Sequence, residues 1–426
     1  MIIALLIGFV ILIFAGISVV VAIAVITALG MAIRGDVNLA VLAQSLTGRM
    51  GSASLAAIPL FLLMGSLMNA SGVTSRILDL AQNLVGHFRG GLAQVNVASS
   101  LFMGGLSGSS SADAALTTKI LVPRMVEKGY PADFSGAVTA VASTIAIILP
   151  PSVAMIIYGS LADVSVGALF ITGIVPGLML GCLLIASVYI VARKRRYLPA
   201  ARRESLGVVF RSLIRALPAL ALPVIIIGGI RLGVFTPVEA AAVGVMYTLF
   251  LGFVVYRELS LRELPNVLIS SGVSTGIVMI IVGISAPLTF LITIEHLPQR
   301  IAEFVGNVSE SPLVFLLIVN LSILVLGMVI DSVALIILIT PILAPVASLM
   351  GVDPLHFAIV IIVNILVGTL TPPFGQMVYV VSAIGEIPAE GVFRQVFVFY
   401  PALLILLIVV TYFPEIYLWV PSVLGG

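Results

Sequence analysis

Charge is scarce in this chain of 426 residues: 9% are Asp, Glu, Lys or Arg, and the formal net charge is only +2. So balanced a chain does not suit a nucleic acid partner. Lysine occurs three times, at Lys119, Lys128 and Lys194, and none follows a glycine. A phosphate-cradling Walker loop is therefore excluded, and with it ATP hydrolysis by this chain. Cys182 stands alone, which excludes an internal disulfide. His87, His296 and His356 share no helical-turn spacing of the kind a metal site uses. The apolar run from Met1 to Ile33 has neither a basic leading stretch nor a small-residue cleavage site, so it reads as retained membrane helix rather than a removable signal.

What the chain has is hydrocarbon. It is 61% hydrophobic with a mean hydropathy of +1.29, far outside soluble usage. The reading is an all-α polytopic membrane protein with room for roughly ten to a dozen spanning or half-spanning helices. The N-terminal run is longer than one upright span needs and too short for two comfortable ones, and the side of the N-terminus stays open.

One dense basic cluster, Arg193-Lys194-Arg195-Arg196 with Arg202, Arg203, Arg211 and Arg215, belongs in the cytoplasm by the positive-inside rule. Counting outward, residues 257–263 are cytoplasmic, 296–311 external, and Lys119, Arg124 and Lys128 cytoplasmic. Residues 76–89 and 296–310 are charged and amphipathic, and read as helices along opposite faces of the membrane; an ordinary polar loop is the alternative.

The chain carries one unit twice. SADAALTTKILVPRM at 111–125 lies over IDSVALIILITPILA at 330–344, GYPADF at 129–134 over GVDPLHF at 351–357, and ILPPSVAMIIY at 148–158 over LTPPFGQMVYV at 370–380. An odd number of crossings between the copies makes the repeat inverted. Four segments follow: scaffold helices at 1–72, a first repeat at 73–192, a basic loop with central scaffold helices at 193–295, and a second repeat at 296–426. Some charges have local roles: Thr236-Pro237-Val238-Glu239 spells a capping box, and Asp353 before Pro354 an N-cap. Asp133 and Asp163 read as facing water or a helix terminus near the membrane ends.

GGLSGSSSADAA at 104–115 interrupts the hydrocarbon, and the apolar runs on either side are each too short to cross. A re-entrant hairpin with its tip at 107–111 satisfies both facts. Non-helical backbone at that depth is tolerated only when buried in protein or lining a polar cavity. Such a tip sets a helix C-terminus, which attracts cations, beside a helix N-terminus, which attracts anions. Serine hydroxyls suit a hard, reversibly bound ion such as sodium. Prolines at 150–151 and 372–373 break two further helices, with Thr144, Ser152, Thr369 and Thr371 close by. A second tip falls at 327–332. There Asp331, ionisable within an apolar run, is the strongest single candidate for a cation ligand or proton-linked residue. Asp113 aligns with it, or instead pairs with a nearby helix terminus.

In the order GHFRGGLAQVN, GGLSGSSSADAA, GYPADF, ILPPS, TPVEAA, GVDPLHF and TPPFG, nearly the whole chain resembles the large membrane subunit of tripartite ATP-independent periplasmic (TRAP) transporters. The resemblance implies a multi-pass protein of a bacterial or archaeal inner membrane, with an inverted-repeat, elevator-type ion-transporter fold. It implies sodium-coupled uptake of a carboxylate-bearing solute such as sialic acid or a C4-dicarboxylate, handed over by a periplasmic binding protein. A small membrane subunit would be a further partner. Carried over by position, the sodium ligands would be Ser107, Gly108, Ser110, Thr144 and Pro150 on one side and Gly327, Asp331, Ser332, Thr369 and Thr371 on the other. Substrate would meet Ser109, Ser110, Ser152, Thr371 and Gly375.

Two rivals remain. A passive channel would use the same polar half-helices. A rhomboid-like intramembrane serine protease would use Gly105-Leu106-Ser107-Gly108, and needs a histidine within hydrogen-bond reach of the serine.

Overall fold

The computed structural model describes residues 1–35, 39–197, 199, 203–309 and 311–424, and among these it is helical with no strand. Arg202 of the basic cluster and Glu310 at the end of the second amphipathic stretch lie outside the described residues. By length and composition, five described helices can cross a membrane, or up to nine if each bent pair counts as one span.

The N-terminal run resolves into two short helices, α1 (Ile2–Phe14) and α2 (Val19–Arg34), packed on each other across a turn at 15–18. With α3 (Leu39–Met50) and α4 (Ala57–Ala70) they form one wall of the molecule. Chain reversal at Gly72, in the left-handed region, turns the path through 69° into α5 (Val73–Val85). Val73, Ile77, Leu80 and Ala81 of α5 are buried at helical spacing while its other face is polar, the form expected of an interfacial arm. Its counterpart α15 (Leu297–Val308) follows a left-handed His296 and meets the next helix at 117°.

The first repeat continues through α6 (Gly91–Ser107), α7 (Ser110–Glu127), α8 (Ala132–Ser143), α9 (Ile145–Ile148) and α10 (Val153–Ala162). Then α11 (Val166–Lys194), α12 (Leu206–Arg231), α13 (Pro237–Phe250) and α14 (Leu264–Ile294) supply long spans. The second repeat runs α16 (Pro312–Gly327), α17 (Ser332–Leu349), α18 (Pro354–Gly368) and α19 (Gln376–Gly385), closed by α20 (Ala389–Val396), α21 (Tyr400–Tyr412) and α22 (Glu415–Leu424).

Contacts sort these elements into two bodies. A scaffold forms where α14 packs on α2, α3 and α4, and α4 on α13. A core forms where the repeats interlock: α10 on α17, α19 on α7 and α8, α9 on α18. The two copies are thus neighbours in space as well as in pattern. On the face that the charge count places inside, Gln395 accepts from Arg195 at 2.7 Å and donates to Asp133 at 3.0 Å, tying the end of α11 to both repeats. The capping box at the start of α13 is formed: Thr236 N–H donates to Glu239 at 2.8 Å and Glu239 N–H to the Thr236 hydroxyl at 3.3 Å. Asp353 caps α18 by accepting from His356 N–H at 2.9 Å.

The structure corrects the register between the copies. The N-caps of the returning hairpin arms are Ser109 and Asp331, so Ser110 matches Ser332, and Asp113 lies a full helical turn beyond the position of Asp331. Gly129 and Gly351, both left-handed just past those arms, keep the same register, as do the two Pro-Pro pairs. The aspartate and proline matches at 113, 123, 331 and 341 had drawn the alignment one turn out of step. The first tip is also tighter than 107–111: only Gly108 and Ser109 lie between the arms, and Ser110 and Ser111 already belong to α7.

Candidate functional site

At the first tip, α6 ends at Ser107, Gly108 turns the chain at φ +61°, and the Ser109 hydroxyl accepts from Ala112 N–H at 3.3 Å. This tip crosses the break at 149–152. Val153 N–H donates to the Gly108 carbonyl at 3.4 Å, and a side chain at Gly108 would collide with the Pro151 carbonyl. Ser152 caps α10, accepting from Met155 N–H at 3.4 Å, and returns its own proton to the Ile147 carbonyl at 2.6 Å. Thr144 is fully buried above the break with its hydroxyl on the Val141 carbonyl at 2.7 Å. On the scaffold side, Gly65 of α4 lets the Ser107 carbonyl approach so closely that a methyl group at Gly65 would lie 2.7 Å from it.

The second tip repeats the crossing. Phe374 N–H donates to the Met328 carbonyl at 3.2 Å, and Gly327 meets Gly368 backbone to backbone: a methyl group at Gly368 would lie 2.8 Å from the Gly327 Cα. Asp331 Oδ1 accepts from Val333 N–H at 2.9 Å and Ala334 N–H at 3.3 Å, the N-cap role its position implies. Thr369 and Thr371 donate to the carbonyls of Leu366 and Val367, each at 2.8 Å, and Thr371 accepts from the Tyr400 hydroxyl at 2.9 Å. The peptide bonds Pro150–Pro151 and Pro372–Pro373 are both cis.

Both crossings border one cavity of about 350 Å³. Gly108, Ser109, Ser110 and Ser111 line it from the first hairpin, Asp331, Ser332 and Val333 from the second, and Val153, Ala154 and Gln376 from the breaks. The scaffold closes it with Leu62 of α4 and with Ser274, Ile277, Val278 and Ile281 of α14. The helices α7, α10, α17 and α19 all begin here, so four helix N-termini converge on one space. Oriented amides and dipoles at such ends favour an anion. The C-terminal ends of α6, α9, α16 and α18 lie on the other side of each crossing, where backbone carbonyls favour a cation.

Of the predicted residues, Gly108, Ser109, Ser110, Asp331 and Ser332 line the cavity. Ser107, Thr144, Pro150, Ser152, Gly327, Thr369, Thr371 and Gly375 belong to the crossings behind it. Sequence reasoning missed Ser274 and Gln376; the polar stretch Ser270, Ser271, Ser274 and Thr275 within the long apolar helix α14 and a glutamine just after a break were the available signals. Asp113 lies in the first turn of α7, at the helix terminus the second alternative named, without accepting a hydrogen bond there. It is 1% exposed in α7, both its carboxylate oxygens lack a hydrogen-bond partner, and the Ser100 hydroxyl beside it and Asn96 Oδ1 are likewise unpartnered. An anionic carboxylate in that setting needs a cation.

None of the three histidines is among the described residues lining the cavity. His87 stacks on Phe88, His296 begins α15, and His356 bonds the Tyr417 hydroxyl, which leaves Ser107 without the base a serine protease requires.

Residues 6–416 match the family described as tripartite ATP-independent periplasmic transporter, DctM component. The sialic acid TRAP transporter large permease protein SiaM of Vibrio cholerae is 42% identical over 90% of this chain and 90% of its own length. The C4-dicarboxylate TRAP transporter large permease protein DctM of Pseudomonas aeruginosa is 42% identical over 87% of each. The 2,3-diketo-L-gulonate TRAP transporter large permease protein YiaN of Escherichia coli is 38% identical over 88% of each. The crystal structure of the Alcanivorax borkumensis YdaH transporter superposes with a TM-score of 0.64 at 14% identity, covering 91% of this chain and 90% of that one, a likeness of fold.

Proposed function

Since this chain belongs to the DctM family of TRAP transporters, as a multi-pass inner-membrane transport component and not an enzyme, we propose that it drives sodium-coupled uptake of an organic anion by elevator-type alternating access. The observation that carries the reading is the convergence of four helix N-termini on one cavity, with carbonyl-bearing helix ends on the far side of each crossing. The solute's acidic group takes the amide ends of α7, α10, α17 and α19, with the hydroxyls of Ser109, Ser110, Ser111 and Ser332 around it. Sodium takes the carbonyl ends with Ser107, Gly108, Thr144, Pro150 and Ser152 in one repeat and Gly327, Thr369 and Thr371 in the other. Asp331 stands between the two zones, and Asp113 supplies a second negative charge to the cation side.

Coupling follows from electrostatics. Bringing an anion beside Asp331 in a low-dielectric cavity is unfavourable until a cation offsets it, so ion and solute bind best together. The elevator reading rests on the asymmetry of the cavity wall. Nearly every polar group comes from the core, while the scaffold offers aliphatic side chains and Ser274, a face along which the core can slide.

Relatives support the solute class: those named for sialic acid, C4-dicarboxylate, 2,3-diketo-L-gulonate and isethionate all carry an anion. We assign a small membrane subunit and a periplasmic binding protein as partners. This chain spans 62% of the sialic acid permease SiaT and 57% of the isethionate permease DctMQ, which leaves room in those longer chains for a fused subunit.

Proteoliposomes holding this chain and its small subunit, supplied with loaded binding protein, test the reading. Radiolabelled sialic acid, succinate, 2,3-diketogulonate and isethionate are offered under an imposed sodium gradient. Accumulation above the outside concentration that collapses without sodium is expected. Equilibration alone, indifferent to sodium, would mean a channel.

A further inference from the structure

A second cavity, of about 560 Å³, lies beside the first along the same two helices. Central-cavity residues Ser274 to Ile281 of α14 and Asp331 to Val333 of α17 are followed, further along each helix, by Thr289 and Thr293, and by Thr340 and Ser348. Asp163, at the corner between α10 and α11, Tyr158 of α10 and Arg49 of α3 complete its polar lining. The count of crossings from the basic cluster puts Asp163 and Thr293 on the external side, so this space is the outer vestibule of the cavity below it.

Its hydroxyls have little to donate. Thr289, Thr293, Thr340 and Ser348 give their protons to the carbonyls of Ser285, Thr289, Ile336 and Ala344 of their own helices. Arg49 is the exception. It makes no ion pair among the described residues, and its Nε, shut off from solvent, has no hydrogen-bond partner. Asp163 shares the vestibule without pairing to it and is exposed, so water screens that negative charge. A half-buried guanidinium that lines a cavity without an ion pair is a receptor for a planar acidic group.

We propose that Arg49 makes this vestibule a staging site, where the acidic group of an incoming organic anion is held before the solute descends between α14 and α17 to the central cavity. The assignment rests on the transport reading above and adds a binding step to it. Because Arg49 belongs to the scaffold, the guanidinium stays at the outer face whichever way the core has moved, while the α10, α17 and α18 lining travels with the core. Its role is to raise the local concentration of anion and to orient it acid first.

Charge-selective labelling tests the receptor without knowledge of the solute. In a Cys182→Ser background, Thr293→Cys is exposed to membrane-impermeant thiosulfonates added outside, one carrying a sulfonate and one a trimethylammonium group. The ratio of the anionic to the cationic labelling rate should fall by about fivefold or more when Arg49→Ala is added, the scale of one charge at close range. Arg49→Lys should hold the ratio. An unchanged ratio, or no labelling from outside, overturns the proposal. In the proteoliposomes, Arg49→Ala should raise the KM for loaded binding protein by about tenfold and leave the maximal rate intact. A lowered maximal rate with unchanged KM would make Arg49 a structural residue instead. Sodium dependence of the parent protein in the same vesicles reports separately on the coupling mechanism, so the two proposals fail independently.

Discussion

Ser109 and Asp331 occupy the same place in the two hairpins: each caps the returning arm, each is followed by a serine, and each borders the central cavity. One is neutral and the other ionisable. The first hairpin has its aspartate a turn deeper, at Asp113, out of the cavity and beside Ser100. The repeat therefore conserves backbone architecture while distributing charge unequally. One carboxylate faces the shared cavity and one is buried a turn along its own hairpin arm. Duplicated scaffolds give symmetric helix ends; the side chains decide that the two halves do different work.

The largest effects should come from the two aspartates. Asp331→Asn is expected to lower sodium-driven uptake by about a hundredfold or more, since it removes the charge that links ion to solute. Asp113→Asn should weaken sodium affinity by a similar factor while leaving solute binding at saturating sodium close to normal. Titrating uptake with sodium in each variant separates the two; identical profiles would erase the distinction between the halves.

Backbone crossings come next. Gly108→Ala and Gly368→Ala should each destabilise the protein by about 2 kcal/mol or more, the first through its left-handed φ and the Pro151 carbonyl, the second through the Gly327 backbone. Thermal unfolding in detergent measures both. A benign Gly368→Ala would show that the second crossing is looser than the first.

Tyr400 sharpens the contrast on a finer scale. Its hydroxyl donates to Thr371, for which the first repeat offers only Leu149, so Tyr400→Phe should cost about 1 kcal/mol at the proposed second sodium site alone. A several-fold rise in the sodium concentration for half-maximal uptake is the expected reading. Smallest is Thr236→Val, which breaks the capping box far from either hairpin: about 1 kcal/mol of stability and no change in sodium dependence.

Much of this architecture was legible in residue order. The tip around Gly108 marked a reversal, the Pro-Pro pairs marked breaks, and Thr236 and Asp353 announced their helices, because each acts through its own backbone. Register was harder. The match of Asp113 to Asp331 was persuasive as chemistry and wrong by one turn, since helix ends are set by capping and by the crossing contacts, which residue identity at one position does not report. Ser274 was passed over for another reason: it lies in an apolar helix remote in sequence, and only packing of α14 across the hairpin tips brings it to the cavity. The burial of Asp113 beside Ser100 likewise arises from the packing of α6 against α7.

Gly65 has a mechanical consequence. It presents bare peptide to the Ser107 carbonyl at the seam between scaffold and core, so nothing protrudes there to act as a detent. If the core travels as proposed, this joint is the bearing over which the first tip must glide, and its smoothness sets how freely the machine turns over. A bulky residue there would press on the first tip itself, stalling the stroke and displacing the Ser107 carbonyl together.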